Sequence, residues 1–314
     1  MAASPDGKQS SVLVQQSTLP GEEADAVHNH DVEEEEEEEE DCEDEVSEGD
    51  ASSECFSQVD FPYTRDELAV FVSDFYIFLS RLCLPADALK LPPPGGWPNI
   101  TPEATSCLEK TPFVVDLLKH LPYITDDGRS HYNRIHYKCY VVDYSVCSAS
   151  DFAEHASNFE WQEEMFGLAP EAVEHSILLA DGYESGGRMM LLNTKTGELH
   201  VEMIRYDTDA VEDVGSYLGA LKRRYETLDM VPIPGEEHFD ENVEEEEEGY
   251  ETILEDQVMA QEKEEYFTPS KLDQRWVRHL YRSFGWPQAA YRKDEALAAV
   301  EAFRRSRRSV DDEL

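Results

Sequence analysis

The chain has 314 residues, a formal net charge of −44 and an aromatic content of 10%. Acidity on this scale argues against direct nucleic-acid binding, because phosphate recognition needs net positive surface. No apolar stretch is long enough to cross a bilayer, so neither nucleic acid nor membrane is an expected partner.

The charge is concentrated. Glu33 to Glu40 form an unbroken run, extended by Asp41, Glu43, Asp44 and Glu45, and Glu244 to Glu248 form a second. Like charges at this density repel, and they bring no apolar surface to offset the entropy of ordering. The expected organisation is a disordered acidic tail over 1–60, an α+β domain over 61–234, and an acidic disordered linker over 235–265. A helical pair over 266–308 docks on the domain, and 309–314 is a short tail. The start of the chain has no charged n-region or apolar h-region of a signal peptide. Cys42, Cys55, Cys83, Cys107, Cys139 and Cys147 form no CxxC and meet no His at zinc-finger spacing. Free thiols in cytosol or nucleus are expected, with no metal and no cofactor. Cys83 and Cys139 sit in apolar patterns and read as small core residues.

Order begins at Phe61. Thr64 and Glu67 form a capping box, with Tyr63 and Leu68 at the staple positions. Leu68, Phe71, Val72, Phe75, Phe78, Leu79 and Leu82 follow at helical spacing. Pro85 marks the stop. Leu91-Pro92-Pro93-Pro94-Gly95-Gly96-Trp97-Pro98 is a stiff loop with a sharp turn. Its Trp97 either plugs the edge of the core or belongs to a binding surface. Thr111 and Pro112 open a second helix as N-cap and N1, and Pro122 ends it.

Arg134 to Tyr144 alternates, which predicts one half-buried strand with Ile135, Tyr137, Cys139 and Val141 inward and His136, Lys138 and Tyr140 outward. His131 and His136 then fall on opposite faces and read as surface or packing residues, not a metal pair. Residues 151–166 are helical but irregular, with Phe152, Phe159, Trp161, Met165 and Phe166 as candidate core. Ser176 to Ala180 is a short apolar strand, Arg188 to Leu192 a strand apolar on both faces, and Leu199, Val201 and Met203 alternate in a third. Asp209 is expected to cap a helix bearing Val211, Val214, Leu218, Leu221 and Tyr225. Beyond the second glutamate run, Thr268 and Pro269 open a helix with Leu272, Trp276 and Leu280 on one face, and Asp294 starts a last one with Leu297, Val300 and Phe303. The Arg304-Arg305-Ser306-Arg307-Arg308 cluster either complements the last helix dipole or anchors an acidic partner or the chain's own tails. The pattern predicts an α+β fold with a mixed, largely antiparallel sheet flanked by helices.

The cluster with most chemistry is Asp181, Tyr183, Glu184 and Arg188 around Gly182, Gly186 and Gly187. Three readings stand: a structural turn with Arg188 paired to Asp181 or Glu184, a ligand-facing loop, or a catalytic loop using the two carboxylates. No Walker A, GxGxxG, GxSxG or HExxH motif is present.

The run Leu178-Leu179-Ala180-Asp181-Gly182, then Gly186-Gly187-Arg188-Met189-Met190-Leu191-Leu192-Asn193, then Thr196-Gly197-Glu198-Leu199-His200-Val201 is similar to the central strands of the SUKH superfamily. That superfamily includes bacterial toxin-immunity proteins and a fungal cell-wall-signalling regulator. The Leu-Pro-Pro-Pro, Gly-Trp-Pro and Tyr-Arg-Ser-Phe-Gly-Trp-Pro segments resemble fungal proteins of the same layout. The resemblance implies one α+β domain used for protein binding, with disordered flanks and no catalysis. The favoured expectation is therefore a non-enzymatic interaction or regulatory protein whose partner-binding residues are Trp97, Asp181, Tyr183, Glu184 and Arg188. One alternative is an acidic chaperone for histones or other basic proteins. The other is an enzyme built on Asp181 and Glu184.

Overall fold

The computed structural model describes residues 62–85, 87–125, 133–206, 208–234, 236–239, 255–263 and 268–308. The chain divides into two units, Met1–Phe56 and Ser57–Leu314, and the described residues all belong to the second. Both glutamate runs, His131, the side chain of Trp161 and the expected tails lie outside the described residues.

Helix α1 (Arg65–Leu82) starts at the predicted capping box: the Glu67 amide donates to Thr64 Oγ1 at 3.3 Å and the Thr64 amide donates back to the Glu67 carboxylate at 2.8 Å. Two orphan amides of the first turn are thereby satisfied. Its inner stripe, Leu68, Val72, Phe75, Phe78, Leu79 and Leu82, is buried. β1 (Leu89–Lys90) follows. Thr111 then caps α2 (Pro112–His120), accepting from the Val114 amide at 3.3 Å, and β2 (Tyr123–Ile124) returns antiparallel to β1. Trp97 plugs this corner: its Nε1 donates to the Leu121 carbonyl at 2.8 Å and its ring lies 5.9 Å from Tyr123.

The main sheet has six strands in chain order: β3 (Arg134–His136), β4 (Cys139–Val141), β5 (Ser176–Gly182), β6 (Arg188–Asn193), β7 (Glu198–Met203) and β8 (Thr208–Asp213). Every pairing described in it is antiparallel. Helices α3 (Ala149–Met165) and α4 (Pro170–Val173) interrupt the meander between β4 and β5, and α5 (Val214–Thr227) follows β8. α1 and α5 pack on each other and bring the aromatic stripe over the sheet. The fold is α+β, as the pattern predicts.

Two expectations are corrected. The segment from Arg134 is not one strand: it reverses at Tyr137 and Lys138, with Lys138 in the left-handed region at φ 47°. Lysine there is no turn signature, unlike Asn-Gly or Asp-Gly, so the reversal is silent in the sequence. It pairs His136 with Cys139 and buries His136, which strict alternation placed outward. The second correction concerns Asp209, which lies inside β8 and is not the N-cap of the helix. Thr208 and residues 210–213 find ladder partners on β7, with Val211 opposite His200 and a register shift at Asp209, and the helix waits for Asp213, whose Oδ1 accepts from the Ser216 amide at 2.9 Å. Val211, assigned to a helix core face, is 48% exposed.

The C-terminal helices dock on this body. β9 (Val231–Pro232) pairs with β10 (His238–Phe239), then come α6 (Glu255–Met259), α7 (Lys271–Ser283) and α8 (Lys293–Arg307). β10 and α6 both fall inside the span 235–265, so parts of that span belong to the folded unit. Lys293 Nζ donates to the Ser80 and Leu84 carbonyls at 3.1 and 3.0 Å, which satisfies the end of α1 with a cation where its dipole is negative. Tyr291 donates to the Leu82 carbonyl at 2.8 Å and Tyr281 to that of Pro232 at 3.0 Å. Among the described residues no helix is long and apolar enough to cross a membrane.

α7 is capped by Ser270, not Thr268, in a second capping box with Asp273. Asp273 is fully buried; its Oδ1 accepts from Arg307 Nε at 3.0 Å and from Gln261 Nε2 at 2.9 Å. This pair fixes α6, α7 and α8 together. Removing one partner leaves a buried charge uncompensated, while replacing both with apolar groups of like volume is close to neutral. In urea unfolding, Asp273→Ala is expected to lose about 3–5 kcal/mol, and the double change Asp273→Leu with Arg307→Met much less. Equal losses in both would show that the ion pair is not what joins the helices.

Candidate functional site

β5 and β6 are joined by a tight turn over Tyr183, Glu184, Ser185, Gly186 and Gly187. A Cβ on Gly187 would stand 2.3 Å from the Tyr183 carbonyl oxygen, so only glycine closes it. Glu184 and Gly186 take left-handed conformations at φ 57° and 81°.

The turn divides the predicted residues between two environments. On one side the Tyr183 hydroxyl donates to Glu237, which also accepts from the Lys138 amide at 2.9 Å and pairs with Arg134 at 3.1 Å. Burial, reinforced by the Glu237 hydrogen bond, pushes the Tyr183 phenol far up. Glu184 is mostly exposed and pairs with Lys138 at 3.1 Å; the same lysine donates to the Ser185 carbonyl at 3.3 Å. Arg188 opens β6 opposite Met203, and its charge adds to burial in holding His136 neutral.

Asp181 faces elsewhere. It stands opposite Tyr140 in the β4–β5 ladder, and the Tyr140 hydroxyl donates to its Oδ2 at 3.4 Å. Its Oδ1 is buried and has no protein hydrogen-bond partner. Burial pushes the carboxyl pKa up, against hydrogen bonds from the Gly182 backbone and Tyr140 that pull it down. A buried acceptor without a partner is uncommon and calls for a reason.

Asp181 lines a cavity of about 660 Å³ between α3, the turn at Ser106–Leu108 and strands β4 and β5. Tyr140, Asp143, Tyr144, His155 and Phe159 share the wall. Tyr144 is fixed: its hydroxyl donates to the Leu178 carbonyl at 3.1 Å and its ring stacks on Phe152 at 6.3 Å. His155 lies 5.3 Å from Tyr144, and burial lowers its pKa, keeping it neutral near pH 7. Lys110 donates to the Val173 carbonyl at 2.7 Å and covers the Phe159 ring at 3.7 Å. Asp143 is bound to Lys90 at 2.7 Å.

Of the five residues predicted for a binding surface, Asp181 alone lines this cavity. Trp97 is at another corner, Tyr183 is held by Glu237, and Glu184 pairs with Lys138. The two carboxylates of the catalytic reading are thus on different sides of the turn. Sequence reasoning missed Tyr144, His155 and Lys110. The one available signal was the irregularity of residues 151–166, whose polar members Asp151, Glu154, His155 and Asn158 line the cavity. Among the described residues no three or more His, Cys, Asp or Glu side chains converge as a metal ion would need.

Compared with protein-family models, curated proteins and solved structures, the chain gives no match to any of them.

A carboxyl whose folded pKa lies above its unfolded value favours folding while protonated. That contribution is present below the unfolded pKa of about 4 and is lost as pH rises through the folded value. Asp181→Asn is therefore expected to be more stable than the parent at pH 7, with the difference closing at pH values below about 4. A variant less stable than the parent at neutral pH would show that the carboxylate contributes structure there.

Proposed function

We propose that this chain is a non-enzymatic protein-interaction protein of the kind the SUKH resemblance implies, and that the cavity beside Asp181 is its recognition site. The observation that carries the reading is the buried, unpartnered Asp181 Oδ1 in the wall of a cavity that also presents tyrosine, phenylalanine and histidine. Aromatic side chains with a few directed polar groups are the usual lining of a binding pocket. A carboxylate kept there against its desolvation cost fits recognition better than stability. The split of Asp181 from Glu184 weighs against a two-carboxylate reaction at this turn. The partner class is protein, including proteins with basic segments, in cytosol or nucleus. Cys83, Cys107, Cys139 and Cys147 are free thiols, which fits a reducing compartment. In this reading the glutamate runs raise the encounter rate with basic partners and are not the specific contact.

The test is affinity capture with the full chain, comparing the parent, Ala156→Trp to fill the cavity, and deletion of residues 33–40. Ala156→Trp is expected to lose the specific partners. The deletion is expected to keep them with weaker dependence on salt. Capture that survives Ala156→Trp but vanishes with the deletion and in high salt would replace this reading with an acidic chaperone.

A further inference from the structure

The larger cavity has a neighbour. A second cavity of about 290 Å³ lies between the Ser106–Leu108 turn and α2, with Ile100, Pro102, Thr105, Pro112 and Val115 in its wall. Glu109 and Lys110 line both cavities and form the ridge between them. Glu109 ends the Ser106–Leu108 turn in a left-handed conformation at φ 52°.

The two cavities differ in chemistry. Glu109, Asp143, Asp151, Glu154 and Asp181 surround the larger one. Asp143 is engaged by Lys90 and Asp151 by the Ser148 amide at 2.7 Å, whereas Asp181 keeps an unpartnered oxygen. Lys110 is turned onto Val173 and Phe159. His155 is kept neutral by burial. What remains is a cavity in which carboxylates outnumber the one lysine, with Tyr140 and Tyr144 in its wall beside Asp181, a setting that attracts a cation. The smaller cavity has Ile100, Pro102, Pro112 and Val115 in its wall, and its charges come in both signs, Glu109 and Asp116 against Lys110 and Lys119, so its apolar side suits a small aliphatic group.

Building on the proposed function, we infer that the site reads an extended partner segment at two points: an arginine or lysine side chain enters the cavity beside Asp181, and an aliphatic side chain close by in the same segment enters the cavity over Val115. An extended chain is the occupant proposed because its side chains at i and i+2 leave one face about 7 Å apart and can enter separate pockets, and the two cavities share Glu109 and Lys110 in their walls. The charge of the larger cavity selects the cation, and the aliphatic pocket sets which side of the ridge it enters.

The test is NMR titration of the full chain with a blocked pentapeptide, Gly-Arg-Gly-Leu-Gly, with the same peptide carrying citrulline for arginine or glycine for leucine, and with n-butylguanidinium alone. The parent peptide is expected to shift the amides of Val142, His155 and Asp181 together with those of Thr105 and Val115. Asp181→Asn should weaken it about tenfold and leave the citrulline peptide unchanged, while Val115→Gln should abolish only the advantage given by leucine. Butylguanidinium binding as tightly as the peptide, shifts confined to other surfaces, or no shift up to about 10 mM would overturn the two-point reading. If the peptide fails while Ala156→Trp still loses the captured partners, the proposed function stands and this inference falls. If the peptide maps to both cavities while Ala156→Trp keeps every partner, the reverse holds.

Discussion

Tyr225 is the group on which most of the fold converges. It is fully buried, and a buried hydroxyl must find its partners inside the protein. It gives its one proton to the Ile135 carbonyl at 2.9 Å and contacts His238 Nδ1 at 2.6 Å. With the proton spent on Ile135, His238 donates to the hydroxyl, which fixes the Nδ1–H tautomer. Burial pushes the His238 pKa down to about 3, so the ring stays neutral in that role. The same residue packs its ring 6.2 Å from Phe75 and 6.5 Å from Phe78, and its carbonyl accepts from Trp286 Nε1 at 3.2 Å. One residue thus joins the first helix, the β3–β4 hairpin and the β10 strap through its side chain, and the C-terminal region through its carbonyl.

The hairpin so anchored carries the next layer. Arg134 and the Lys138 amide hold Glu237, Glu237 receives the Tyr183 hydroxyl, and β4 sets Tyr140 against Asp181. The adjoining Glu236 accepts from Arg304 and Arg308 at 2.9 and 2.8 Å. Two arginines of the cluster at the end of α8 therefore hold Glu236, near the start of the span 235–265. Two consecutive glutamates, indistinguishable in composition from those that follow, are structural pins.

What the sequence disclosed was local. The boxes at Thr64 and the cap at Thr111 were legible because a cap needs only residues within one turn. β5, β6 and β7 were legible because their apolar runs are bounded by glycine turns. The reversal at Lys138 and the delay of α5 to Asp213 were not, since each depends on ladder partners distant in sequence. The buried Asp273–Arg307 pair was invisible for the same reason: an aspartate three residues into a helix reads as a cap, and nothing nearby announces an arginine 34 residues on. At the candidate site the Asp181 turn stood out, but its true companions, Tyr144, His155 and Lys110, come from other segments and meet it only through the sheet.

The meander leaves a strand at each margin of the sheet, and the two are guarded differently. At β3 the margin is shut by chain, with the Lys138 amide taken by Glu237 and the Tyr137 ring lying 6.1 Å from Phe239. At β8 the exposed Val211 is followed by Glu212 and Asp213. Acidic side chains on a marginal strand repel a second copy before backbones can zip. Of the two acids, Asp213 is engaged by the Ser216 amide and the Tyr63 hydroxyl, so the exposed Glu212 beside Val211 is the charge that works against sheet-to-sheet self-association there.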